Sequence, residues 1–384
     1  MRSPADRRTA LLMLLPSLVL LAIFVYGFIF QTIRTSMTDW GENLDPTAAP
    51  MAVNPERNYV GLENYEELMT NALQFDFRVA MVNTFFFTIL FVGGCVLLGG
   101  ALALLLDFNV RLEGVFRTIF LLPMSLSLIV TGTVWRWLLQ PEGLNSLPAR
   151  LFGLEPLDFQ WLNNRDVLLE FDWNDVPLYL TIIGIFILSI LVFNFAMSKR
   201  WGAAGWGIGI VIVLLFMYGV GFWENTIWPP VGIAGEEGFV MTPEPKGYQV
   251  ALTGIILAAV WQMSGYVMAI FLAGIRGIPE ELREAARVDG CNEINVYTRI
   301  ILPQLRPVAL SAIIILGHIS LKIFDLVFAM SGLGNFQTKV PGIMVYSAFQ
   351  DNRFATASAI AVIMLLLVSV VIIPYLWSQL RAEE

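Results

Sequence analysis

Residues 10–30, ALLMLLPSLVLLAIFVYGFIF, carry no charged side chain over 21 consecutive positions. A helix of that length covers the hydrocarbon of a bilayer, and in lipid a helix satisfies its own backbone hydrogen bonds. Arg2, Arg7 and Arg8 precede the run, which is too long for a signal-peptide core and has no A-x-A site after it. The expectation is a retained first span.

Seven more apolar runs follow, at 79–106, 115–139, 177–198, 206–223, 249–275, 307–329 and 355–378. The run at 206–223 is short and glycine-rich at its start. Composition agrees with lipid as the solvent: 14% of the 384 residues are charged, against about 25% in soluble domains. The net charge of −8 and the lack of a basic stripe exclude nucleic acid as the main partner. Cys95 lies in an apolar run and Cys291 in a charged segment, so neither a disulfide nor a metal framework is expected. No internal repeat or low-complexity tract is present.

Eight spans return both termini to one side. That side takes 1–9, 107–114, 199–205, 276–306, the tail and Arg117, with 13 Lys/Arg and 10 Asp/Glu. The other takes 32–78, 140–176, 224–248 and 330–354, with 8 Lys/Arg and 20 Asp/Glu. The basic side is the expected cytoplasmic one.

On that side stands EAARVDGCNEINVYTRIILP (284–303). Pro279 suits a first helical position, and Glu280 and Glu281 suit the helix dipole. A helix over LREAARVD stops at Gly290, and Asn292 caps a second helix running to Pro303. Ala285 and Ala286 leave a thin patch where another backbone could approach. Arg283 and Arg287, four apart, repel each other unless a partner brings acids. An ordinary solvated loop accounts for the same charges.

The pattern E-A-A-x3-G-x9-I-x-L-P is complete at Glu284, Ala285, Ala286, Gly290, Ile300, Leu302 and Pro303. It resembles the EAA loop of permease subunits in binding-protein-dependent ABC importers. FLLPMSLSLIVTGTVWRWLLQPEGLN (120–145), VWQMSGYVMAIFLAGIRGIPEELREAARVDG (260–290) and HISLKIFDLVFAMSGLGNFQTKVPGIMVYSAF (318–349) are similar to the carbohydrate branch, with wording near that of glucose and mannose permeases. The resemblance covers roughly 10–145 and 249–378. It implies an all-α polytopic membrane protein with a type I (MetI-like) core of six spans, at 10–31, 79–106, 115–139, 249–275, 307–329 and 355–378. Residues 172–248 then add an inserted helical pair, and Ser331-Gly332-Leu333-Gly334-Asn335 departs from the T-G-G-G-P turn of the branch.

The resemblance also implies that 278–303 docks on a cytoplasmic ATPase through Arg283, Glu284, Ala285, Ala286, Arg287 and Gly290. The expected partners are a second permease subunit, an ATPase dimer holding ATP and Mg, and an extracytoplasmic sugar-binding protein. The expected location is the cytoplasmic (inner) membrane. No cofactor and no enzyme activity are expected of this chain, which has no G-x-x-x-x-G-K-[ST].

Charged residues within spans are functional candidates, and Lys322 and Asp325 sit three apart in the run 307–329. They either hydrogen-bond sugar hydroxyls or form a structural ion pair. Trp261, Gln262 and Tyr266 combine aromatic faces with polar groups, as sugar sites do, and equally serve core packing. Trp135, Arg136 and Trp137 read as an interfacial belt, and His318 as a packing residue. A charged intramembrane pair also fits an ion-coupled secondary transporter.

Overall fold

The computed structural model describes residues 4–41, 57–71, 74–108, 110–170, 181, 185, 201–219 and 247–382. Helix α1 (Pro4–Leu21) passes through a π-helical turn into α2 (Phe28–Ser36). The short α3 (Glu63–Thr70) leads to α4 (Phe75–Asp107), which runs 33 residues without a break. Next come α5 (Glu113–Leu121), α6 (Leu128–Leu138) and α7 (Leu147–Phe152). Beyond α8 (Trp201–Gly219) lies α9 (Leu252–Arg276). A bent stretch holds α10 (Glu280–Val288), α11 (Glu293–Val296) and α12 (Leu302–Gln304). The chain closes with α13 (Arg306–Leu321), α14 (Asp325–Ser331), α15 (Pro341–Gln350) and α16 (Phe354–Ala382).

Among the described residues, Met13–Ser36, α4 and α9 are each long and apolar enough to cross a bilayer unaided. The expected span 115–139 is not straight. Its halves α5 and α6 meet at 99° through a 3-10 turn, Leu122–Ser125. Pro123 has no N–H to continue the helix, and Ser127 starts the next one by accepting the Val130 N–H at 3.3 Å.

The expected span 307–329 is also divided, because α13 stops at Leu321 and α14 restarts at Asp325. Helix α15 packs directly on this break: at Gly342, near its start, a Cβ would stand 2.9 Å from the Ile323 carbonyl oxygen. The expected span 177–198 lies outside the described residues apart from 181 and 185, while 206–223 falls largely within α8. Strands β1 (Val167–Leu168) and β2 (Tyr248–Gln249) pair antiparallel, so the chain at 248–249 lies beside that at 167–168.

The core centres on α4 against α9. Phe87, Phe91, Cys95 and Ala103 face Ile255, Ala258, Val267 and Met268, all fully buried or nearly so. Small residues let the two backbones approach, as helices in lipid require. At Gly99 a Cβ would stand 2.6 Å from the Ser264 carbonyl oxygen.

Candidate functional site

The segment 278–303 folds into an elbow. Pro279 occupies the N-cap of α10, with φ −56° and ψ 133°, one position before the expected one. Gly290 adopts φ +82°, which a side chain would strain. Two bonds close the helix end there: Gly290 N–H to the Arg287 carbonyl at 3.0 Å and Cys291 N–H to the Ala286 carbonyl at 2.9 Å. Asn292 then caps α11, its Oδ1 accepting the Asn295 N–H at 2.8 Å.

The expected repulsion between Arg283 and Arg287 is relieved inside the chain. Arg283 Nη1 donates to Asp107 Oδ2 at 3.0 Å, and its Nη2 donates to the Ile275 carbonyl at 3.0 Å. Both partners are buried, with the Arg283 side chain 11% and the Asp107 side chain 6% exposed. The same Oδ2 accepts the Tyr297 hydroxyl at 2.6 Å. Burial, then the hydrogen bond to Asp107, push the Tyr297 phenol up, so it stays protonated and donates.

Arg287 turns outward, with Nε 2.8 Å from Glu293 Oε1 and Nη1 3.3 Å from Glu280 Oε1. Its hydrogen bond holds the Glu293 carboxyl below the usual range and raises Arg287. Asp107 escaped the sequence reading, although it is the acid that closes the uncharged run 79–106.

The small-residue patch is narrower than expected, since Ala286 packs into the core and Ala285 alone is exposed. Beside Ala285 the elbow presents Glu281, Glu284, Val288 and, across the bend, Ile294. Val288 is 87% and Ile294 72% exposed, a large apolar display beside so many charges.

The second group of candidates separates. Lys322 and Asp325 fall on either side of the break between α13 and α14, not on one helical face. Both are exposed on this chain, and they form no ion pair with each other or with another described residue. Between them begins an aromatic cluster: Phe324 stacks on Phe328 at 5.4 Å, and Tyr346 of α15 lies 5.3 Å from Phe324 and 5.9 Å from Phe328. The sequence reading missed this cluster, for which the two phenylalanines four apart were the available signal.

Gln262 is partly committed within the fold, while its Oε1 is buried with no hydrogen-bond partner among the described residues. Its Nε2 donates to the Leu126 carbonyl at 2.8 Å, replacing a bond lost at the break between α5 and α6. Trp261 packs edge-on against Trp135 at 5.9 Å, and Tyr266 is half-buried against the core. His318, also half-buried, leaves Nδ1 buried without a hydrogen-bond partner among the described residues. Arg136 and Trp137 are exposed, as an interfacial belt requires.

The family described as binding-protein-dependent transport system inner membrane component matches residues 95–381. A probable ABC transporter permease protein of Pyrococcus horikoshii is 31% identical over 100% of both chains. The xylose/arabinose import permease protein XacH of Haloferax volcanii is 28% identical over 94% of this chain and 85% of its own. A solved bacterial ABC transporter involved in the import of the acidic polysaccharide alginate has the same fold. Its TM-score is 0.58 at 17% identity, covering 98% of this chain and 96% of that one. The chain therefore belongs to the binding-protein-dependent transport system inner membrane components, the multi-pass permeases of ABC importers.

Proposed function

We propose that this chain forms half of the translocation path of an ATP-driven sugar importer and couples to a separate ATPase through 278–303. The observation that carries this reading is the elbow. Its arms are held from within by Asp107, and its tip offers Ala285, Val288 and Ile294 to another protein. ATP and Mg belong to the ATPase, a second permease chain completes the path, and an extracytoplasmic binding protein delivers the sugar. Both termini and the elbow face the cytoplasm, where the basic excess lies. ATP drives transport only by binding one of two arrangements more tightly than the other.

A sugar as cargo is supported by the break at 322–325. Ring faces of Phe324, Phe328 and Tyr346 suit sugar C–H surfaces, and the exposed Lys322 and Asp325 suit hydroxyls. Relatives named for xylose/arabinose import, glucose import and trehalose/maltose transport support a monosaccharide such as glucose or mannose, or a short oligosaccharide, as the cargo. Co-purification with the ATPase encoded nearby, followed by a sugar screen of ATP hydrolysis with the binding protein, tests the reading. Failure of any ATPase to co-purify, with uptake driven by an ion gradient, would instead favour a secondary transporter using Lys322 and Asp325.

A further inference from the structure

Helix α4 carries a carboxylate at each end, and each grips a different part of the molecule. At its last residue, one oxygen of Asp107 takes both arms of the elbow: Arg283 from α10 at 3.0 Å and Tyr297 beyond α11 at 2.6 Å. The Phe108 ring adds a contact with Tyr297 at 5.3 Å. Around Gly290, at the tip, an added Cβ would meet nothing within 4 Å among the described residues. The exposed pair of Arg287 and Glu293 also ties the arms, and Ala286 and Val296 anchor them in the core. The elbow is thus fixed at its root and free at its tip.

At the opposite end Asp76 pairs with Lys339, in the loop between α14 and α15. Asn83 donates to the carbonyls of Gln337 at 3.2 Å and Lys339 at 2.9 Å, and Phe75 packs on Phe336 at 5.4 Å. This loop adjoins the break that carries Lys322, Asp325 and the aromatic cluster. The unbroken α4 spans about 50 Å between the two attachments. The elbow and the loop are therefore fastened to opposite ends of one stiff element.

We propose that Asp107 is a positioning residue that delivers movement of the elbow, through α4, to the loop 332–340 beside the path. The inference rests on the proposed ATPase coupling. A displacement of the tip turns both arms about one carboxylate oxygen, so α4 must follow or both hydrogen bonds must break. Without Asp107 the polar link between the elbow and α4 is lost, leaving the apolar packing of Ala286 and Val296.

The test uses the assembled importer in proteoliposomes, with Cys291→Ser as background and Gly334→Cys as a reporter in the loop. At Gly334 a Cβ meets nothing within 4 Å among the described residues. The rate of labelling by a membrane-impermeant maleimide is measured with and without a non-hydrolysable ATP analogue. The parent is expected to change its rate about fivefold or more on nucleotide binding. Asp107→Asn should abolish that change while the ATPase still co-purifies, and Asp107→Glu should restore it. A merely structural role would lower yield without removing the response.

If Asp107→Asn fails to assemble, Tyr297→Phe decides, since it keeps the Arg283 pair and releases one arm; it should diminish the response. A parent-like response in whichever variant assembles overturns the inference. So does a parent that holds its ATPase yet shows no response at the loop reporter. A parent that neither holds an ATPase nor responds refutes the functional reading, and the inference falls with it.

Discussion

Two charged places in this chain look alike in sequence and behave oppositely in structure. Arg283 in the elbow and Lys322 in the divided span both lie within three residues of an acid. Arg283 makes its shortest acid contact with Asp107, 176 positions away, and is buried with it. Lys322 and Asp325 stay exposed and unpaired among the described residues, on two sides of a helix break. The difference separates architecture from available chemistry. A charge paired inside the chain holds elements together, whereas one left open needs a partner from outside.

The largest test of that contrast is Asp107→Leu. It strands Arg283 in a buried site and should cost about 3–5 kcal/mol, read as thermal unfolding in detergent. Lys322→Met under the same conditions should shift stability by no more than about 0.5 kcal/mol. Equal losses would erase the distinction.

Gly290→Val comes next. The left-handed backbone at φ +82° should cost about 1–2 kcal/mol and lower uptake per ATP hydrolysed. Intact coupling in this variant would show that the bend carries no load. The double variant Lys322→Met with Asp325→Leu should instead leave unfolding unchanged and reduce sugar uptake about tenfold, roughly 1.4 kcal/mol in the path. Normal uptake would remove both residues from the translocation route.

The smallest effect concerns pH. Because the folded Glu293 carboxyl sits below its usual value of 4.5, the tie to Arg287 is present above that value and lost as pH falls through the lower folded one. A dye on Cys291 should keep its anisotropy from neutral pH down to about 4.5 and gain mobility only below it. Loosening near neutral pH would mean another group governs the elbow.

Features decided within a few residues of chain could be read directly. The left-handed stop at Gly290 and the Asn292 cap are of this kind, because the bonds that enforce them close within five positions. The lengths of α4 and α9 followed from uncharged runs. Features decided by another element could not be read. Lys322-Ile323-Phe324 contains neither proline nor glycine, so nothing local marked the break against which α15 packs. That the Gln262 Nε2 would donate to the Leu126 carbonyl, across 136 positions, could not be read from the chain around it. Pro123 did announce a break, but the apolar run around it was long enough to conceal the 99° turn. At the candidate site, the motif located the elbow, while the hold of Asp107 on it depended on two helix ends meeting.

One property of α4 reaches beyond the protein. Its uncharged stretch, 79–106, is about 42 Å long, whereas hydrocarbon is about 30 Å thick. Upright, the helix would carry about 12 Å of apolar surface past the acyl chains, so it must lean or be sheltered by its neighbours. A thicker bilayer would let it stand and a thinner one would tip it further. The separation of Asp76 from Asp107 along the membrane normal would change with lipid chain length.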